Sequence, residues 1–151
     1  MHKKYKWEIK DLSAAKSFKI SAKIVLEQRI KSSLAAVRKF FNEETPENLH
    51  EIRIALRRLR YNMEVFVSCF DRETFIAFYQ SVERLQDMTG VKRDLDVLEE
   101  NVKSLSGGGI ESEKLVAGIV EKKDILKDEL TIELMKFMHG SELKDFYKQI
   151  L

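Results

Sequence analysis

The apolar positions of this chain recur in steps of three and four residues, the spacing that gathers side chains on one side of an α-helix. The pattern is clearest over residues 48–70, where Leu49, Ile52, Leu56, Leu59, Met63, Phe66, Val67 and Phe70 form one stripe. Thr45, Pro46 and Glu47 just ahead supply a start signal: a hydroxyl cap, a proline in the first turn, then an acid. This helix is predicted to end near Phe70, because Asp71 reads as the cap of the next one. That third helix begins at Arg72, with Phe75, Phe78, Val82 and Leu85 as its stripe. Past Gly90 the apolar positions continue as Val91, Leu95, Leu98, Val102 and Leu105, but in a shifted phase. The shift predicts a kink or short break at Thr89–Gly90.

A first helix over about 13–41 carries a looser stripe of Phe18 (or Ile20), Ile24, Ile30, Leu34, Val37 and Phe41, and residues 42–47 form the turn after it. Ser106 and three glycines mark the clearest loop. A fourth helix over about 111–139 has Leu115, Ile119, Leu126, Leu130 and Phe137 on its buried side. Gly140-Ser141 breaks it, and a short last helix presents Leu143, Phe146, Tyr147 and Ile150. Long helices joined by short loops predict an all-α fold: an antiparallel up-down four-helix bundle with a short extra C-terminal helix. The 151 residues fit one domain spanning 1–151.

Charge adds a second pattern. His50, Arg53, Arg57 and Arg60 fall in one row on the flank of the 48–70 stripe, while Arg58 falls on the far side. Such a row is most often a solvated face. Here it is built of Arg, and little acid is expected to relieve it: Glu51 lies across the helix and only Glu64 lies at the end of the row. The planar guanidinium fork suits phosphate oxygens, so the row points to an oxyanion site. Net charge is only +2, from 27 basic and 25 acidic residues, so the basicity is local. That balance disfavours a general nucleic-acid binder, as does the scarcity of aromatic residues on the basic face for stacking bases.

Other chemistries find little support. His50 has no second His three or four residues away, and its neighbours on that face are cations, which oppose a metal ion. The three-glycine run lacks the Lys-Ser/Thr of a phosphate-binding P-loop. No nucleophile–base pair, cofactor fingerprint or zinc spacing is present, so no enzyme, no cofactor and no metal are expected. The lone Cys69, in an apolar context, reads as a buried core thiol. No run approaches the ~18 apolar residues of a membrane span, and the start of the chain is polar. His2, Lys3, Lys4, Tyr5, Lys6, Trp7 and Lys10 at that end read as a frayed terminus. The expectation is a cytoplasmic protein without a membrane partner.

The series His50-x-x-Arg53-x-x-x-Arg57-Arg58-Leu59-Arg60 resembles the signature of the CHAD family, the conserved histidine α-helical domain. Gly90-Val91-Lys92-Arg93-Asp94-Leu95-Asp96-Val97-Leu98 resembles its second element, Gly-x-x-Arg-Asp-x-Asp-Val-Leu. In helix layout the resemblance covers roughly residues 15–151. It implies an all-helical protein that binds inorganic polyphosphate, or a similar linear polyanion, along a basic groove. It adds Arg93, which periodicity alone leaves solvated, to His50, Arg53, Arg57, Arg60 and Arg58 as polyphosphate-binding residues. Asp94 and Asp96 are then expected to support the site, each as a carboxylate holding an Arg fork in place. Family members mostly carry an apolar residue where this chain has Thr89, which predicts looser packing there. The family domain usually holds two bundles, whereas this chain has one copy of each motif. A homodimer is expected to restore the second wall, and association with polyphosphate granules to accompany the cytoplasmic location. The alternative is a helical protein-interaction or scaffold module that meets an acidic partner surface.

Overall fold

Ser17 opens the first helix by accepting a hydrogen bond from the Ile20 N–H at 3.3 Å, and α1 (Phe18–Asn42) follows. The computed structural model describes residue 9, residues 17–105 and residues 109–151. The aromatic–lysine segment, the start of the first helix near Ser13 and most of the glycine loop lie outside the described residues. α2 (Pro46–Val65) is capped as expected, the Thr45 hydroxyl accepting from the Asn48 N–H at 3.1 Å. It ends at Val65, five residues short of Phe70. The Phe66 N–H closes it on the Asn62 and Met63 carbonyls, and Val67–Cys69 make a single 3-10 turn. Asp71 caps α3 (Arg72–Leu105) by accepting from the Thr74 N–H at 3.1 Å.

Then come α4 (Ile110–His139) and α5 (Ser141–Ile150), joined at Gly140. The Gly140 N–H donates to the Lys136 carbonyl at 2.7 Å. A Cβ at this position would run into that same carbonyl, so the turn requires glycine.

Consecutive long helices run antiparallel. Arg29 of α1 lies by Asn62 of α2 while Lys39 lies by Glu51. Arg84 of α3 lies by Glu133 of α4 while Asp96 lies by Lys123. α1 packs mainly on α2 and α5, α2 on α3, and α3 on α4, with α5 laid across α1, α3 and α4. The core collects Leu26, Ile30 and Val37 of α1, Ile52 to Met63 of α2, Phe75 to Leu85 of α3, and Leu130, Leu134 and Phe137 of α4. Phe146 of α5 is fully buried, stacked on Phe78 at 5.0 Å between ring centres and tilted against Phe70 at 5.1 Å. The short last helix is therefore part of the core.

Several expectations change. In α1 the buried residues include Val25, Leu26 and Phe40, while Phe18 and Ile20 are exposed. Apolar residues occur on several sides of that helix, so their spacing left its rotation open. In α4, Leu115 is exposed and Leu134 is the core residue. α3 runs unbroken through Thr89–Gly90. Thr89 is fully buried, and its hydroxyl donates to the Gln86 carbonyl at 3.0 Å, so the polar group is satisfied inside the helix. The phase shift appears as exposure: beyond Thr89 no residue of α3 is buried, and Val91, Val97, Leu98 and Leu105 are open to solvent. Cys69 is half-buried in the 3-10 turn and not a core thiol. No helix among the described residues is long and apolar enough to cross a membrane.

Candidate functional site

α2 places its apolar stripe in the core and leaves the basic row on the flank that looks toward α3. The result is a groove of about 590 Å3 between the first half of α2 and the second half of α3. His50 and Arg53 line it from α2, and Arg93, Asp96 and Val97 from α3. The two motifs, forty residues apart in sequence, thus meet because α2 and α3 are antiparallel neighbours.

Arg53 is half-buried, and its Nε is enclosed without a hydrogen-bond partner among the described residues. A buried guanidinium N–H without an acceptor costs free energy, about 1–3 kcal/mol or more for a charged group. Arg57, one turn further, is exposed, with its guanidinium carbon 5.6 Å from the centre of the Tyr61 ring. No carboxylate pairs with Arg53, Arg57 or Arg93 among the described residues.

Arg60 differs from the rest of its row. Its Nε donates to the Tyr79 hydroxyl at 3.0 Å, and its Nη1 donates to Gln86 at 3.3 Å. Glu64 and Glu83 stand 3.3 and 3.5 Å from it. The Tyr79 contact foremost, reinforced by the two acids, pushes the Arg60 pKa up from its ordinary value. The donors of Arg60 are thereby engaged within the protein, and they tie the end of α2 to α3. Arg58 lies off the row, as the spacing predicted, in a separate cleft between α1 and α2.

The acids fall differently from expectation. Asp96 binds lysines and no arginine: Lys92 at 3.0 Å and Lys123 of α4 at 2.6 Å. Its role is structural, but it joins α3 to α4 instead of holding a guanidinium. Asp94 is exposed, in a shallow hollow with Arg93, Val97, Leu98 and Asn101. Glu47, Glu51 and Glu100 also line the groove. Glu51 is engaged by Lys39 at 3.0 Å, so its charge is offset. The row is sparing of acid on its own helix only; α3 brings Glu83, Asp96 and Glu100. Glu100 lies two turns after Arg93 and so on the same side of α3, a spacing that signalled its place beforehand. Among the described residues no three of His, Cys, Asp and Glu converge as metal ligands.

The family model of the CHAD domain matches residues 3–103, a span that holds both motifs and the whole groove. Neither a curated protein nor a solved structure matches the chain.

Proposed function

This chain belongs to the CHAD domain family, and from that premise we propose that it binds inorganic polyphosphate, or a similar linear polyanion, in the α2–α3 groove without performing chemistry on it. The observation that carries this reading is Arg53: a half-buried arginine that lines the groove with His50 and Arg93, and whose enclosed Nε lacks an acceptor among the described residues. Phosphate oxygens supply what that N–H lacks, and His50, Arg57 and Arg93 extend the contact to successive phosphates. The ligand enters between the two helices and leaves along Arg57, while Arg60 fixes the groove wall. In the cell this reading places the protein in the cytoplasm, with polyphosphate granules as one location.

The exposed Val97 and Leu98 beside Arg93 support a further part of the proposal: a second copy of the chain covers that apolar edge and supplies a facing groove. The same exposed residues support the second reading, a helical interaction module whose Arg row meets an acidic protein surface.

Titration with a fluorescent polyphosphate of defined length tests the assignment. Charge-assisted hydrogen bonds contribute ~1.5–3 kcal/mol each, so Arg53→Ala is expected to weaken binding about tenfold or more. Arg58→Ala, off the row, is expected to cost much less. Equal losses from the two variants would mean diffuse charge attraction, and absence of binding by the unmodified chain would favour the protein-interaction reading.

A further inference from the structure

Arg60 fixes how α2 and α3 lie against each other, reaching Tyr79 and Glu83 at one end of their antiparallel contact. Toward the other end Arg53 lies opposite Arg93, and beyond them come Glu47 and Glu100. Glu47 stands in the first turn of α2, six residues before Arg53, about 9 Å along the axis. Glu100 stands seven residues after Arg93, about 10 Å along α3. The antiparallel register therefore puts both acids at the same end of the groove, and both are exposed.

The four carboxylates that line the groove are of two kinds. Glu51 is held by Lys39 at 3.0 Å, and Asp96 by Lys92 at 3.0 Å and Lys123 at 2.6 Å. Glu47 and Glu100 form no ion pair among the described residues. Past the opposite end, Glu64 and Glu83 stand 3.3 and 3.5 Å from Arg60, so their charge is offset. The groove is thus polar along its length. It has an acidic mouth at Glu47 and Glu100, then His50, Arg53 and Arg93, and then Arg57 one turn further along α2.

Resting on the reading of this groove as a polyphosphate site, we infer that it takes the end of the polymer and not its middle. The terminal phosphate sits among His50, Arg53 and Arg93, and the polymer leaves past Arg57. An inner stretch has to continue in both directions, which drives phosphates between Glu47 and Glu100. Like charges set against each other in a binding surface oppose association. A polymer that stops at Arg53 avoids that repulsion. Its terminal phosphate also carries more charge and more unbridged oxygens than an inner unit. Those oxygens suit the enclosed Arg53 Nε, with His50 and Arg93 lining the same place. The arginines supply the attraction, and the two free acids select which part of the polymer is held.

The test titrates the full chain, by calorimetry, with linear polyphosphate in two forms. One has free ends; the other has both terminal phosphates converted to phosphoramidates of a small neutral alkylamine. The capped form is expected to bind about tenfold more weakly, the loss of a charge-assisted contact to the terminal phosphate. With free ends, saturation is expected at one protein chain per polymer end, for a short and for a long polymer alike. Glu47→Gln combined with Glu100→Gln is expected to raise the affinity for the capped form about tenfold and to let the stoichiometry grow with polymer length. Both side chains are exposed, and thermal melts of the double variant check that its fold is kept. Equal binding of the capped and free forms by the unmodified chain would overturn end capture while leaving polyphosphate binding in place. So would a stoichiometry that rises with polymer length in the unmodified chain, or a folded double variant that still rejects the capped form. Absence of binding by every form would remove the polyphosphate reading itself, and end capture with it.

Discussion

Gly118 sits in the exposed middle of α4, and a Cβ built there meets nothing within 4 Å. Glycine in a helix interior costs roughly 0.5–1 kcal/mol relative to alanine, through the freedom it loses on folding. Gly118→Ala is therefore expected to stabilise the chain by about that amount, read from chemical denaturation. No gain would mean that α4 is already frayed at this point. Gly140 is the opposite case, since there the Lys136 carbonyl occupies the space of a Cβ. Among the arginines the same distinction between neighbours decides role. Arg53, Arg57, Arg58 and Arg60 are close in sequence and alike in chemistry. One is enclosed without an acceptor for its Nε, one stands over Tyr61, one turns into another cleft, and one is engaged by tyrosine, glutamine and two acids. Spacing separated Arg58 from the rest. It could not separate Arg60, because Tyr79, Glu83 and Gln86 arrive from another helix.

The far halves of α3 and α4 form an element held in a different way from the rest. Beyond Thr89 no residue of α3 is buried, and before Leu130 only Ile119 of α4 is. Charges join the two helices there: Lys123 meets Asp96 and Glu99, both at 2.6 Å, and Lys103 meets Glu99 at 2.8 Å. The two lysines hold the Glu99 carboxyl down from its ordinary 4.5 to about 2, hydrogen bonding from Lys103 and then from Lys123 being the main causes. A carboxylate with a depressed folded-state pKa stabilises the fold fully above its unfolded value and loses that contribution as pH falls toward the folded one. Glu99→Gln is thus expected to lower stability at neutral pH, with the gap to the parent chain closing between pH 4.5 and about 2. Thermal melts across that range, followed by circular dichroism, measure it. A gap that stays constant with pH would mean that Glu99 acts through packing.

At the scale of the whole molecule, one bundle presents a groove walled by α2 and α3 and open on its outer side. Val97 and Leu98 are close to half exposed beside Arg93. A second copy covering that edge would bury them and bring a second basic row to the same ligand, raising affinity through linked contacts. Cations gathered at such an interface repel until an anion neutralises them. Sedimentation velocity is therefore expected to show mostly monomer without ligand and a shift to dimer on adding polyphosphate. Leu98→Glu is expected to prevent the shift while leaving Arg53 in place. Polyphosphate bound tightly by a species that stays monomeric would show that one groove suffices.

Helix spacing alone determined much of this protein. The stripe of α2, the caps at Thr45 and Asp71, the break at Gly140 and the core positions of α3 up to Leu85 all follow from local rules. Caps and periodicity act within a few residues, so they are written in the chain. The row of His50, Arg53 and Arg57 was legible for the same reason, and the CHAD motifs added Arg93. Tertiary structure alone decided three things. It brought Arg93 opposite Arg53, because only the antiparallel packing of α2 on α3 fixes which turns face each other. It gave Asp96 to Lys92 and Lys123 instead of an arginine, because α4 supplies a nearer cation on that side of α3. It left the Val91–Leu105 stripe without a fully buried residue, with Val91, Leu98 and Leu105 exposed, because α4 meets that half of α3 through Lys123 and its ion pairs to Asp96 and Glu99 while the aromatic packing of α5 lies at Phe75 and Phe78 in the other half.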